Sequence, residues 1–276
     1  GCFSSSFCRL LVPPFWVLWP WLWGRRQRFE GHPSHSRGRK ATGPCELASL
    51  HPAVRVVSRP PLLLVVGMHR SGTSLLGGIL QRLGVKLPGE TIAGDQHNPE
   101  GYFEWDAVVA LQERLLIDLQ RWWPAPEGTL ALPEGWLQQP ATRQAYCELS
   151  SQLSEAVVHQ QELWAIKDPR CSRLLPLWLE LCRDLAIPLR LLLAVRDPAE
   201  VVTSVVRRDG PLVGMDTLRA QQLWWRHNLE VVDVAQHAKL PFAVVDFDRW
   251  FNAPERQLDA LEQALPELRP SPLQRQ

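Results

Sequence analysis

From about residue 60 onward, short apolar runs bounded by Pro or Gly trade places with stretches whose apolar residues recur every three or four positions. The first pattern marks buried strands and the second amphipathic helices. Residues 62–66 (LLLVV) lie between Pro61 and Gly67, as a strand covered on both faces requires. Residues 74–84 place Leu75, Leu76, Ile79, Leu80 and Leu83 on one helical face. Residues 106–119 open at Asp106, a candidate cap, and align Val108, Val109, Leu111, Leu115, Leu116 and Leu119. Between 120 and 143 Trp, Pro and Gly dominate, which predicts a long surface excursion. Beyond it the pattern predicts a polar helix over 144–162, a strand over 163–166, a helix over 172–186 and a strand over 189–195. Helices over 199–207 and 216–237, a strand over 242–247 and a last helix over 254–265 complete the series, and no internal repeat is visible. Strands alternating with helices predict an α/β fold of three layers, with helices flanking a mostly parallel central sheet. Such sheets bind ligands at the carboxyl ends of their strands.

The first sixty residues follow neither pattern. Residues 10–23 (LLVPPFWVLWPWLW) are apolar throughout, yet they hold three prolines and fall short of the ~20 residues that span a bilayer. Arg25, Arg26 and Arg28 follow the run rather than precede it, against a signal peptide. The stretch to Ser58 is rich in Gly, Pro, Ser, His and Arg. The expected partition is a poorly structured extension over 1–58, a domain over 59–269 and a tail over 270–276. The chain opens with Gly1, as a fragment or processed product would. The expected location is cytoplasmic, the alternative being peripheral membrane attachment through the four tryptophans and neighbouring basic residues of the N-terminus.

Composition changes the picture only by exclusion. With 276 residues, 45% apolar and 21% charged, the chain can bury a sizeable core. Its net charge of +1 argues against a nucleic-acid partner held by bulk charge. That balance hides +7 over residues 1–60 and −6 over the remainder. Six cysteines show neither a CxxC pair nor zinc-finger spacing, and they read as reduced, mostly buried thiols.

The strongest chemical signal follows the first predicted strand. Gly67-Met68-His69-Arg70-Ser71-Gly72-Thr73-Ser74 joins a buried strand to an amphipathic helix. Gly67 and Gly72 let the backbone wrap so that successive N–H groups converge on an anion, and the helix start adds its dipole. Ser71, Thr73 and Ser74 offer hydroxyls and Arg70 a permanent cation. Nucleoside triphosphatases want Lys before the final Ser/Thr, where this chain has Thr73.

These residues resemble the phosphosulfate loop of sulfotransferases, which commonly reads P-[KR]-[ST]-G-[ST]-[ST]. His69 replaces the proline, and Arg70 to Ser74 match the rest. GMHRSGTSLL, then HNPEGYFEW (97–105), AIKDPR (165–170) and VRDPAEVVTSVVRRDG (195–210), resemble bacterial sulfotransferase-family proteins most closely, over about residues 61–269. The resemblance implies a P-loop (nucleoside-triphosphate-hydrolase-like) fold and sulfuryl transfer from 3′-phosphoadenosine 5′-phosphosulfate. It also implies that Arg196 and Ser204, eight residues apart, hold the 3′-phosphate of that co-substrate. Arg207 and Arg208 fall where the family often has further basic contacts.

In sulfuryl transfer an acceptor oxygen or nitrogen attacks sulfur in line while the nucleotide phosphate leaves. By analogy with phosphoryl transfer, the protein mainly positions groups and stabilises charge. Arg70 and the loop amides suit that task, and no metal is expected. Glu90, Asp95, His97, Glu100 and Glu104 are candidate bases for the acceptor proton. Glu104 comes first because Phe103 and Trp105 flank it and would desolvate it, and Glu90 second. Lys167 is a candidate contact for the transferred group, whereas Asp168 and Arg170 read equally well as an ion pair. The tryptophans at 122, 123, 224 and 225 are assigned to the core. The acceptor class stays open among small molecules, glycans, lipids and peptides, and the oligomeric state is not indicated. Two alternatives stand beside the transferase: a P-loop kinase, for which Asp246 and Asp248 supply carboxylates after a strand, and a non-catalytic nucleotide-binding protein.

Overall fold

A computed structural model describes residues 59–96, 98–160, 162–271 and 274. The expectations for residues 1–58, the tail beyond Ser271 (Gln274 aside) and His97 lie outside the described residues. Strand β1 (Leu62–Val66) leads through the Gly67–Gly72 loop into helix α1 (Thr73–Arg82). Helices α2 (Asp106–Asp118) and α3 (Pro140–His159) come next, joined by a connection with two short 3₁₀ turns. Strand β2 (Trp164–Lys167), a 3₁₀ turn over Pro169–Ser172 and helix α4 (Leu175–Asp184) follow. Then come β3 (Leu189–Val195), α5 (Pro198–Val213), α6 (Thr217–His237), β4 (Phe242–Asp246), α7 (Arg249–Asn252) and α8 (Pro254–Ala264).

The sheet has the order β2-β1-β3-β4 and is parallel throughout. Every residue of β1 is fully buried, because its two faces serve two different cores. Leu62, Leu64 and Val66 pack with residues of α2, α3, α4 and α6, while Leu63 and Val65 pack with residues of α1 and α8. That explains the continuous apolar run, since a strand covered on both faces has no polar side to show. A third cluster of Met68, Trp123, Val201, Val202, Val205, Met215, Ala220 and Leu223 lies between the loop after β1, the α2–α3 connection and helices α5 and α6.

Several boundaries differ from the pattern reading. Helix α3 starts at Pro140, four residues before the predicted 144, because proline suits a helix's first turn. Helix α5 runs past the predicted 207 and through Pro211 until Gly214 closes it in the left-handed region (φ 63°). Lys167 closes β2 instead of following it. The 120–143 stretch is more than a surface excursion, for Trp123 and Gly128 are buried. Cys171 and Cys182 are buried thiols. Among the described residues no helix is long and apolar enough to cross a membrane.

Candidate functional site

The four strands end side by side, and the residues at each carboxyl end wall a cleft of about 340 Å³. After β1 come His69, Arg70 and Gly72 to Leu75, with Ser71 fully buried behind the wall, at and beyond the end of β2 Lys167, Pro169 and Arg170, after β3 Arg196, and after β4 Phe247. Arg208 of α5 and Asn98, Tyr102, Glu104 and Trp123 complete the wall.

The loop itself is held from below. The Gly67 N–H donates to Ser172 Oγ at 2.9 Å, and that hydroxyl lies 3.2 Å from the Gly67 carbonyl. A side chain at Gly67 would run into the Ala194 carbonyl oxygen, and one at Gly72 into the Phe247 ring. Arg70 adopts φ 69° and Gly72 φ 86°, so the backbone turns twice through the left-handed region before α1 begins. Helix α1 has neither a side-chain cap nor an acidic residue in its first turn. Its opening N–H groups and positive dipole end are therefore uncompensated beside the cleft.

Three arginines gather at this end. Arg70 Nε donates to Ser204 Oγ at 3.0 Å, joining groups 134 residues apart in the chain. Burial lowers the Arg70 pKa, and the neighbouring cations Arg208 and Arg196 add to the effect, with Tyr102 and Asp209 opposing. Crowded like charges of this kind are relieved by a bound anion. Arg196 pairs with Glu200 at 2.6 Å and lies 4.3 Å from the centroid of the Phe247 ring. Asp197, its sequence neighbour, caps α5 through the N–H groups of Ala199 and Glu200.

On the other side of the loop, the buried Lys167 Nζ donates to Glu104 Oε1 at 2.6 Å, Ser74 Oγ at 3.0 Å and the Tyr102 carbonyl at 2.9 Å. Arg170 lies 3.6 Å from the second Glu104 oxygen. The apolar jacket expected around Glu104 is thus replaced by an ion pair: Phe103 packs on Gly77 and Gly78, and Trp105 on Gly89. Arg170 also pairs with Glu113 and, at 3.0 Å, with Asp168, whose other oxygen accepts from Gln112 at 2.7 Å. Burial pushes the Asp168 pKa up to about 6, against the pull of Arg170. Glu90 is not brought to the cleft; it is exposed, and its carbonyl accepts the Asp106 N–H. Asp95 and Glu100 are exposed as well, Asp95 bonding the Tyr102 hydroxyl at 2.9 Å.

Sequence reasoning passed over Ser172, Phe247 and Trp123. The first two sit on unremarkable stretches just beyond strand ends, and that position was the available signal. Trp123 packs in the third apolar cluster, as the core reading expects, and its ring also lines the cleft and stacks on His69 with ring centroids 4.1 Å apart and planes 19° apart. Trp122 and Trp225, also assigned to the core, are exposed. His69 is held neutral, its pKa well below the usual histidine range through burial first and then the cations of Arg170, His227 when charged, Arg208 and Lys167.

A family model described as "Sulfotransferase family" matches residues 61–267. Among solved structures, the sulfotransferase domain of the Synechococcus PCC 7002 olefin synthase aligns at 21% identity over 75% of this chain and 73% of that one, with a TM-score of 0.42. No curated protein matches the chain.

Proposed function

The chain belongs to the sulfotransferase family, and we propose that it moves a sulfuryl group from 3′-phosphoadenosine 5′-phosphosulfate to a hydroxyl or amine acceptor. The observation that carries this reading is the meeting of the β1–α1 loop with a group of arginines: Arg70 bonded to Ser204, beside Arg196 and Arg208. The cleft fits the co-substrate because an anion there satisfies the α1 N-terminus and relieves the crowding of cations. When bound, the donor supplies a sulfuryl group on a nucleotide phosphate that can leave. The amides from Gly72 to Leu75, with Arg70, would hold its phosphosulfate end and stabilise charge that builds on the departing oxygen. Arg196 and Ser204 would hold the 3′-phosphate, with Arg208 adjacent. Glu104, fixed by Lys167, would take the acceptor proton, and the same lysine ties Glu104 to Ser74 at the start of α1.

Calorimetric titration with adenosine 3′,5′-bisphosphate and with ATP–Mg²⁺ tests the donor. Tight binding of the bisphosphate without metal is expected; a preference for ATP–Mg²⁺ would overturn the reading in favour of a kinase. Mass spectrometry for added sulfonate over a panel of alcohols, glycans, lipids, peptides and amines then identifies the acceptor. Binding without transfer to any of them would make the protein a nucleotide binder.

A further inference from the structure

The connection between α2 and α3, residues 119–139, contains neither strand nor α-helix, yet it is pinned at many points. Arg173, only 2% exposed, spans it: Nη1 donates to the Gly128 carbonyl at 2.5 Å, Nη2 to the Leu130 carbonyl at 2.7 Å, and Nε pairs with Glu230 of α6 at 2.7 Å. Arg226 donates to the Thr129 carbonyl at 3.2 Å and Arg219 to the Pro124 carbonyl at 3.2 Å, both from α6. Burying a guanidinium is costly unless its donors are satisfied; here two of the Arg173 bonds hold the connection and the third ties the same side chain to α6. Gly128 folds back so tightly over Trp122 and Trp123 that a Cβ would stand 2.5 Å and 2.6 Å from their carbonyl oxygens.

The held segment delivers one ring to the cleft. Trp123 is 8% exposed, stacks on His69 of the phosphate loop, and has the Arg208 guanidinium 5.5 Å from its ring centroid. Asp209 binds Arg208 through two bonds of 2.8 Å, which uses two of its five N–H donors. An aliphatic side chain would keep the site apolar, but only an aromatic face can stack on His69 and attract the cation. We infer that Trp123 is a positioning residue for the nucleotide: through its ring it sets His69, and with it the phosphate loop, and it orients Arg208 toward the bound anion. This rests on the nucleotide reading above.

The test is calorimetric binding of adenosine 3′,5′-bisphosphate, with thermal melts run alongside. Trp123→Leu should weaken binding about 3- to 30-fold, the range a cation–π contact supports. Trp123→Phe should restore most of it. In an Arg208→Ala background the Trp123→Leu effect should shrink severalfold, because neighbours acting through one another are not additive. Gly128 lies outside the cleft lining, yet the new methyl of Gly128→Ala would press on the Trp123 backbone and should weaken binding in the same direction by displacing its ring; it and Trp123→Phe carry the test if Trp123→Leu does not fold. Unchanged bisphosphate affinity in Trp123→Leu and Gly128→Ala, whatever their melting temperatures, overturns the inference. So does an undiminished Trp123→Leu effect in the Arg208→Ala background. If the unaltered protein does not bind the bisphosphate, the nucleotide reading itself fails, and this role with it.

Discussion

Arg196→Ala separates binding from stability, because the two contributions of this side chain differ in size. In the fold it pairs with Glu200, whose side chain is 53% exposed, and covers the Phe247 ring. An exposed pair one helical turn apart contributes about 0.3–0.5 kcal/mol, and an exposed cation–π contact about 0.5–1 kcal/mol. Losing roughly 1 kcal/mol should lower Tm by about 2–4 °C in a protein of this size. Toward a phosphate the same guanidinium forms charge-assisted hydrogen bonds of about 1.5–3 kcal/mol. Arg196→Ala should therefore weaken adenosine 3′,5′-bisphosphate roughly 10- to 150-fold. AMP, which lacks the 3′-phosphate, should bind nearly as before. Glu200→Gln should act in the opposite sense, since it removes the carboxylate that competes for Arg196; about a twofold gain is expected. Calorimetry with the two nucleotides decides the matter. Equal losses for bisphosphate and AMP would show that Arg196 serves the fold or another part of the nucleotide, and the 3′-phosphate assignment would fall.

Glu104→Gln keeps the shape of the side chain but cannot take a proton; turnover should fall roughly 10²- to 10⁴-fold with bisphosphate affinity retained, and preserved turnover in a sulfonate-transfer assay would remove Glu104 as the base. His227 is fully buried, and its pKa falls from 6.5 to about 3 through burial and then Arg173. A histidine held neutral lends stability that is complete above pH 6.5 and drains away as pH falls towards 3. At pH 5 the loss from His227 is about 2 kcal/mol. His227→Gln should flatten that slope in urea titrations between pH 7 and 5, and an unchanged slope would refute the assignment. Arg173→Met leaves two carbonyls without their donor and Glu230 with Arg226 alone, so urea unfolding should show a loss of about 3–5 kcal/mol; a loss below about 1 kcal/mol would contradict the clamp.

Much of the architecture was legible because it is written locally. An apolar run between Pro61 and Gly67 has one sensible home, a strand covered on both faces, and β1 takes it. The Gly67–Ser74 loop was readable for the same reason: two glycines, a cation and hydroxyls sit within eight consecutive residues. Boundaries slipped where a single residue outweighs periodicity, as at Pro140, which opens α3, and Gly214, which ends α5 beyond Pro211.

Partnership was not local and stayed hidden. Nothing near Glu104 in the chain announces Lys167, 63 residues away, and the aromatics beside it turn to glycines instead. Arg196 has an acid next door in Asp197 and another at Glu200; only the capped start of α5 assigns the first to the backbone and the second to the guanidinium. Trp123 looked like core because a tryptophan's periodicity says that it is buried, not what it is buried against. The amino-acid sequence determined the strands, the helices and the Gly67–Ser74 loop between β1 and α1, since hydrophobic period and turn chemistry act over a few residues. Only the tertiary structure, by bringing four strand ends and a clamped connection to one cleft, decided which charges pair, which are crowded and which ring stands beside the loop.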